Sequence, residues 1–99
     1  MRKADVYNFG MIAGQLEEFE PGKIYKFIYF PDYDGPSVSL TMPLSKQEYL
    51  FDSFPPFFEG LLPEGIQLEG LVSKAKVDKN DFMGQLLITG ADLVGSVTV

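Results

Sequence analysis

The chain has 99 residues, 45% of them apolar, with 14 acidic residues against 8 basic ones and a formal net charge of −6 at pH 7. That length suits one domain, 1–99, built around one hydrophobic core, and the acidic balance disfavours direct nucleic-acid binding, which relies on clustered cations that displace counterions. Cysteine and histidine are both absent, which excludes disulfides, thiolate chemistry and Cys-ligated metal and removes the side chain most used for acid–base work near neutral pH.

Up to Leu44 the chain reads as β-structure. Ala4 to Phe9 and Met11 to Glu17 are strand-length runs split by Gly10, with Val6, Tyr7, Phe9 and Ile12 as β-formers, a hairpin pattern. Glu20-Pro21-Gly22 signals a turn, since Pro presets φ and Gly supplies a positive one. Lys23 to Phe30 alternates Ile24, Lys26, Ile28 and Phe30 with Tyr25, Phe27 and Tyr29, so both faces of this strand are expected to be at least partly buried. Pro31 to Pro36 is a loop. Val38, Leu40 and Met42 then alternate with Ser37, Ser39 and Thr41, the pattern of a half-buried strand that Pro43 ends.

Beyond Ser53 the period changes. Phe54, Phe57, Phe58 and Leu61 share one helix face, and Pro55-Pro56 fits a first turn whose N–H groups lack partners anyway. Leu68, Leu71, Val72 and Ala75 predict a second helix from about Gly65 to Lys76. A third begins after Asp78 as cap, carries Phe82, Leu86 and Leu87, and stops at a left-handed Gly90. Gly95 to Val99 is β-prone and is expected to return to the sheet. The fold class is α+β: a small antiparallel sheet or partly closed barrel of about five strands, packed with three short helices.

Chemistry-bearing groupings are sparse. Glu17, Glu18 and Glu20, and Asp32 with Asp34, could serve as paired carboxylates or hold a hard cation, but they lack the spacing of a calcium loop and read better as turn and solubility residues. Gly10 and Gly14 lack the rest of a phosphate loop. Arg2-Lys3 and Lys74-Lys76-Lys79 read as solvated surface, or as contacts to an acidic partner. Tyr25, Tyr29 and Tyr33 could stack bases, yet no cations accompany them. A non-enzyme without cofactor or metal is expected. No run approaches the ~20 apolar residues of a membrane span, and the N-terminus has no signal-peptide pattern, so a cytoplasmic location is expected.

The segment Phe57-Phe58-Glu59-Gly60-Leu61-Leu62-Pro63-Glu64-Gly65-Ile66 stands out. On a short helix the Phe-Phe and Leu-Leu pairs cannot all face inward, so an apolar side chain should point outward near the Pro-Glu-Gly turn unless a second layer covers it.

This run is similar to the Phe-Phe-(acidic)-x-Leu-Leu-Pro-(acidic)-(small) signature of the N-terminal subdomain of HipA-type serine/threonine kinases. Phe82-Met83-Gly84-Gln85-Leu86-Leu87, then Gly90-Ala91-Asp92-Leu93-Val94-Gly95-Ser96-Val97-Thr98-Val99, resembles that family's helix and final strand, and Ser39-Leu40-Thr41-Met42-Pro43-Leu44 resembles its Ser-Leu-x-(apolar)-Pro-Leu strand end. The chain stops where that strand stops, without the kinase body, so kinase activity is not expected of it. A stand-alone chain of this kind resembles the HipS-type antitoxins of three-part HipBST systems. The resemblance implies binding and inhibition of a HipT-type serine/threonine kinase, at or near its active site, within a complex that includes a HipB-type helix-turn-helix DNA-binding protein.

The expected partner-binding residues are Phe58, Glu59, Leu61, Leu62, Pro63, Glu64, Gly65 and Ile66. Ile66 stands where many family members carry an aromatic, which makes the expected contact shallower than a large wedge would give. Leu62→Asp with Ile66→Asp is expected to abolish neutralisation without unfolding. Two other readings stay open: a docking subunit that does not inhibit, and an excised N-subdomain of a HipA kinase.

Overall fold

Five antiparallel strands form the chain's main layer in the computed structural model, which describes residues 1–62, 70, 77–90 and 96–99. They are β1 (Arg2–Asn8), β2 (Met11–Glu20), β3 (Ile24–Tyr29), β4 (Glu48–Phe51) and β5 (Val97–Thr98), in the spatial order β4-β3-β2-β1-β5. Two helices are described, α1 (Pro56–Glu59) and α2 (Phe82–Thr89). The sheet is open, with β4 and β5 as its edges, so the partly closed barrel is not formed. The helix expected from Gly65 to Lys76 lies outside the described residues except for Gly70.

The β1–β2 hairpin turns on Phe9 (φ 51°) and Gly10 (φ 80°). Two successive positive φ values twist the backbone in the sense that flanking strands need, which Gly accepts freely and Phe at some strain. Tyr7 faces Ile12 and Asn8 faces Met11, but a bulge between Val6 and Tyr7 shifts the remaining register so that Ala4 faces Leu16 and Arg2 faces Glu18. The Glu20-Pro21-Gly22 turn forms as expected, with Gly22 at φ 75° and the Lys23 N–H donating to the Glu20 carbonyl at 2.9 Å. Gly14 is fixed by close approach. A Cβ there would lie 2.2 Å from the Ile28 carbonyl oxygen on β3.

The core lies on one face of the sheet. Ala4, Val6, Leu16, Tyr25, Phe27 and Tyr29 point into it from the strands, and Phe54, Phe58, Leu62, Met83 and Leu86 close it from the helical side. The opposite face of β3 is partly covered, as Ile28 and Phe30 are half-buried, while Ile24 is exposed.

Three local expectations are corrected. Ser37 to Met42 is not a strand but a tight turn whose one ladder contact among the described residues is the bridge between Ser39 and Met42. The Tyr29 hydroxyl accepts the Val38 N–H at 3.0 Å and donates to the Met42 carbonyl at 2.6 Å. One side chain thus ties both flanks inward and leaves Leu40 at the tip, 98% exposed. The fourth strand is Glu48–Phe51, which pairs with β3. At the start of α2 the cap is Asp81, whose Oδ1 accepts the Gly84 N–H at 3.1 Å, while Asp78 accepts from the Asn80 N–H in the preceding turn. Gly90 is right-handed (φ −55°, ψ −33°). A Cβ on it would lie 2.4 Å from the Val99 Cβ, because the Val99 N–H comes in to bond its carbonyl at 2.9 Å. The chain end does return to the sheet, as β5 pairs Thr98 with Tyr7 and Val97 with Asn8.

Candidate functional site

Helix α1 starts on Pro56, with Pro55 before it at φ −58° and ψ 128°, extended as expected for a residue that precedes proline. The Glu59 and Gly60 N–H groups bond back to the Pro55 and Pro56 carbonyls at 3.0 Å, and the Leu61 and Leu62 N–H groups to Phe58 and Glu59 at 3.1 Å. The last turn therefore tightens toward three residues per turn. This rotation buries one member of each apolar pair. Phe58 (0% exposed) packs on Phe27 with ring centroids 5.8 Å apart, and Leu62 is 8% exposed, whereas Phe57 and Leu61 are half-buried against the rim of the core.

The residues singled out in the sequence accordingly separate. Phe58 and Leu62 belong to the core, Glu59 and Gly60 are exposed, and Leu61 is half-exposed on the same turn. Pro63, Glu64, Gly65 and Ile66 lie outside the described residues. Leu62→Asp would place a carboxylate in the core, so this substitution is not the surface change it was expected to be.

Beside α1 a cleft of about 310 Å³ opens between the helix, the β2–β3 turn and the start of α2. Tyr25, Phe54 and Phe82 form its apolar wall, and Tyr25 meets Phe54 edge-on at 5.4 Å. Ser53, Glu59, Asn80 and Asp81 bring polar groups to it.

Behind Asp81 lies an ion network. The Arg2 guanidinium donates to both Glu18 carboxylate oxygens, from Nε at 2.7 Å and from Nη2 at 3.0 Å. It also donates to both Asp81 oxygens, at 2.9 and 2.7 Å. Glu18 is 3% exposed and accepts a further bond from the Tyr25 hydroxyl at 2.9 Å. These hydrogen bonds, Asp81 first, push the Arg2 pKa above its already high value, and the same contact holds Asp81 below the usual carboxylate range. Burial raises the Tyr25 phenol. Arg2 and Glu18 are thus structural, which corrects the surface readings given to both.

Tyr25 and Tyr29 are buried, and Tyr33 stacks on Tyr29 at 6.0 Å, so these rings serve the fold. Among the described residues no cluster of acidic side chains could hold a metal ion, and no helix is long and apolar enough to cross a membrane.

A family model described as the HipA N-terminal domain matches residues 4–99. The chain is 30% identical, over all 99 residues, to an uncharacterized protein of Haemophilus influenzae, of which it covers 92%. It also matches the solved N-terminal domain of HipA toxin, with a TM-score of 0.76 and 29% identity over 99% of this chain and 90% of that one. The matched region is the N-terminal subdomain and not the catalytic kinase domain. The match runs from the first core strand, through the Pro-Pro helix and the Asp81-capped helix, to the returning strand, and the chain belongs to the HipA N-terminal domain family.

Proposed function

We propose that the chain is an antitoxin of the HipS type, which binds a cognate HipT-type serine/threonine kinase and inhibits it by direct contact at or near its active site. The observation that carries this reading is one of length. The Haemophilus influenzae relative is almost filled by these residues, so this domain also occurs as a small protein with no room for a kinase body. A family domain that is separate from its kinase can act on that kinase only by binding to it.

The contact surface in this reading is the exposed side of α1 and the segment that follows: Glu59, the open part of Leu61, and Pro63 to Ile66. The Pro-initiated helix and the core residues Phe58 and Leu62 lie behind the part of this surface that Glu59 and Leu61 supply. A part anchored in this way loses little conformational entropy on docking. The complex would also contain a HipB-type DNA-binding protein, and this reading places it in the cytoplasm. The match to a domain of a toxin favours one second reading, in which the chain is the N-terminal part of a HipA kinase.

The test is phosphotransfer by the purified HipT-type kinase, both on itself and on its substrate, with increasing amounts of this chain. Wild type should suppress both activities at stoichiometric amounts, and Ile66→Asp should not. Full kinase activity in the presence of bound wild type would replace inhibition with docking. Undiminished inhibition by folded Ile66→Asp would move the contact elsewhere.

A further inference from the structure

Phe9 stands at the first corner of the β1–β2 turn with φ 51°, a left-handed conformation that a bulky side chain adopts only at a cost. A two-residue turn of this hand is best served by Asn followed by Gly. Here Gly10 is in place, but Phe precedes it. Burial does not offset the strain, because Phe9 is 67% exposed and Met11 and Ile12 on the other arm are exposed beside it. The ring is nonetheless held firmly. The Phe9 N–H donates to the Ser96 carbonyl at 2.8 Å, and the buried Asn8 amide before it donates to the Tyr33 hydroxyl and the Pro36 carbonyl, both at 3.1 Å. From Tyr7 to Gly14 the hairpin carries no charged residue, in a chain where 22% of residues are charged, so whatever meets this tip meets an apolar surface and not an ionic one.

We propose that this tip is a second contact to the HipT-type kinase, in which the Phe9 ring enters an apolar, uncharged pocket on the kinase surface and Met11 and Ile12 pack around its mouth. Backbone strain under an exposed aromatic is accounted for by a role outside the free chain, since such outliers persist where a function needs the side chain. The fixed position of the ring limits the entropy lost on docking, and Phe and Met are enriched in the cores of protein interfaces. The kinase is the occupant on grounds of size. A stable interface takes about 20–30 residues from each side, and the α1 surface of Glu59, Leu61 and Pro63 to Ile66 supplies only a small part of them. A net charge of −6 works against both a second copy of this chain and an anionic lipid surface. The inference rests on the kinase-binding reading and divides its labour: the hairpin tip supplies affinity, while the α1 surface blocks the active site.

The experiment is a calorimetric titration of the full chain into the purified HipT-type kinase, with wild type, Phe9→Asn and Met11→Thr, alongside thermal melting of each chain alone. Phe9→Asn relieves the positive φ and should melt higher, by about 4 °C. It should nevertheless bind the kinase about tenfold more weakly, and still suppress phosphotransfer fully once it saturates the kinase. Met11→Thr should weaken binding to a smaller degree and leave melting unchanged. A lower melting temperature for Phe9→Asn would make the ring structural and overturn the proposal. Unchanged affinity of Phe9→Asn, with wild type bound, would overturn it while the inhibitory reading stands, whereas wild type that does not bind the kinase would remove both. Self-association of wild type, or its co-sedimentation with phosphatidylserine vesicles, if lost in Phe9→Asn, would give the tip to a second copy or to a membrane and overturn the assignment to the kinase.

Discussion

Arg2 and Asp81 lie 79 positions apart and meet through two hydrogen bonds of 2.7 and 2.9 Å. The guanidinium that makes them also neutralises Glu18 on the neighbouring strand. A single side chain therefore joins β1, β2 and the cap of α2, and it holds one of the residues that line the cleft.

Arg2→Met should destabilise the chain by about 1–3 kcal/mol, because it leaves the Glu18 carboxylate buried without its cation. The upper end is discounted because Arg2 itself is 37% exposed. Lys3→Met removes a looser pair, 3.5 Å to Glu17 with Lys3 47% exposed, and should cost less than about 1 kcal/mol. Urea midpoints of the two variants measured side by side check the difference.

Asp81 is depressed chiefly by its hydrogen bonds to Arg2. A carboxylate with a lower pKa in the folded state than in the unfolded one adds stability that is complete above the unfolded value of about 3.9 and fades as pH falls through the folded value. Stability should hold from neutral pH to about pH 5 and decline below about pH 4. The decline should be shallower in Arg2→Met, where this carboxylate has lost its main partner. Denaturant titrations from pH 7 down to about pH 2 give both slopes.

Tyr29→Phe removes the hydroxyl that holds Val38 and Met42. A loss of about 1–2 kcal/mol is expected, and the Val38 amide should lose its protection from hydrogen exchange while the β1–β2 amides keep theirs. In the wild type, burial raises the Tyr29 phenol. The associated stability is intact below about pH 10, the unfolded value, and is lost as pH rises beyond it. That alkaline loss should be smaller in Tyr29→Phe.

Gly14→Ala drives a methyl group into the Ile28 carbonyl, with the new carbon 2.2 Å from the oxygen. The β2–β3 ladder must spread to admit it, at a cost of about 1–3 kcal/mol or more. Gly10→Ala meets no neighbour within 4 Å and should cost about 1 kcal/mol, through its positive φ alone. Thermal melting of the pair separates collision from backbone strain.

Much of the fold was legible because it rests on local rules. The period of two in Tyr25, Phe27 and Tyr29, the turn at Pro21-Gly22, the Pro-Pro start of α1 and the β-prone end at Val97 each act over a few residues, and each was read correctly. The strand assigned to Val38–Met42 failed for a physical reason. Val38 and Met42 do point inward, but Leu40 between them does not, and the partner that ties both flanks down is the Tyr29 hydroxyl rather than a neighbouring strand. In the candidate site the sequence marked the Phe-Phe and Leu-Leu run as special. It could not say that Phe58 and Leu62 turn inward, since the tight last turn of α1 sets that rotation.

By itself the sequence determined the class, the family likeness and the segment that matters, because composition, periodicity and motif are properties of neighbouring residues. Only the tertiary structure decided which charges are structural. Continued without interruption, the register that sets Tyr7 against Ile12 would place Arg2 opposite Glu17; the bulge after Val6 moves it to Glu18. That one-residue slip turns Glu18 into the core and leaves Glu17 on the outer face, and it lets Arg2 reach Asp81 from the far end of the chain. A β-bulge is a choice between nearly equal local conformations, and the packing of the whole sheet makes it.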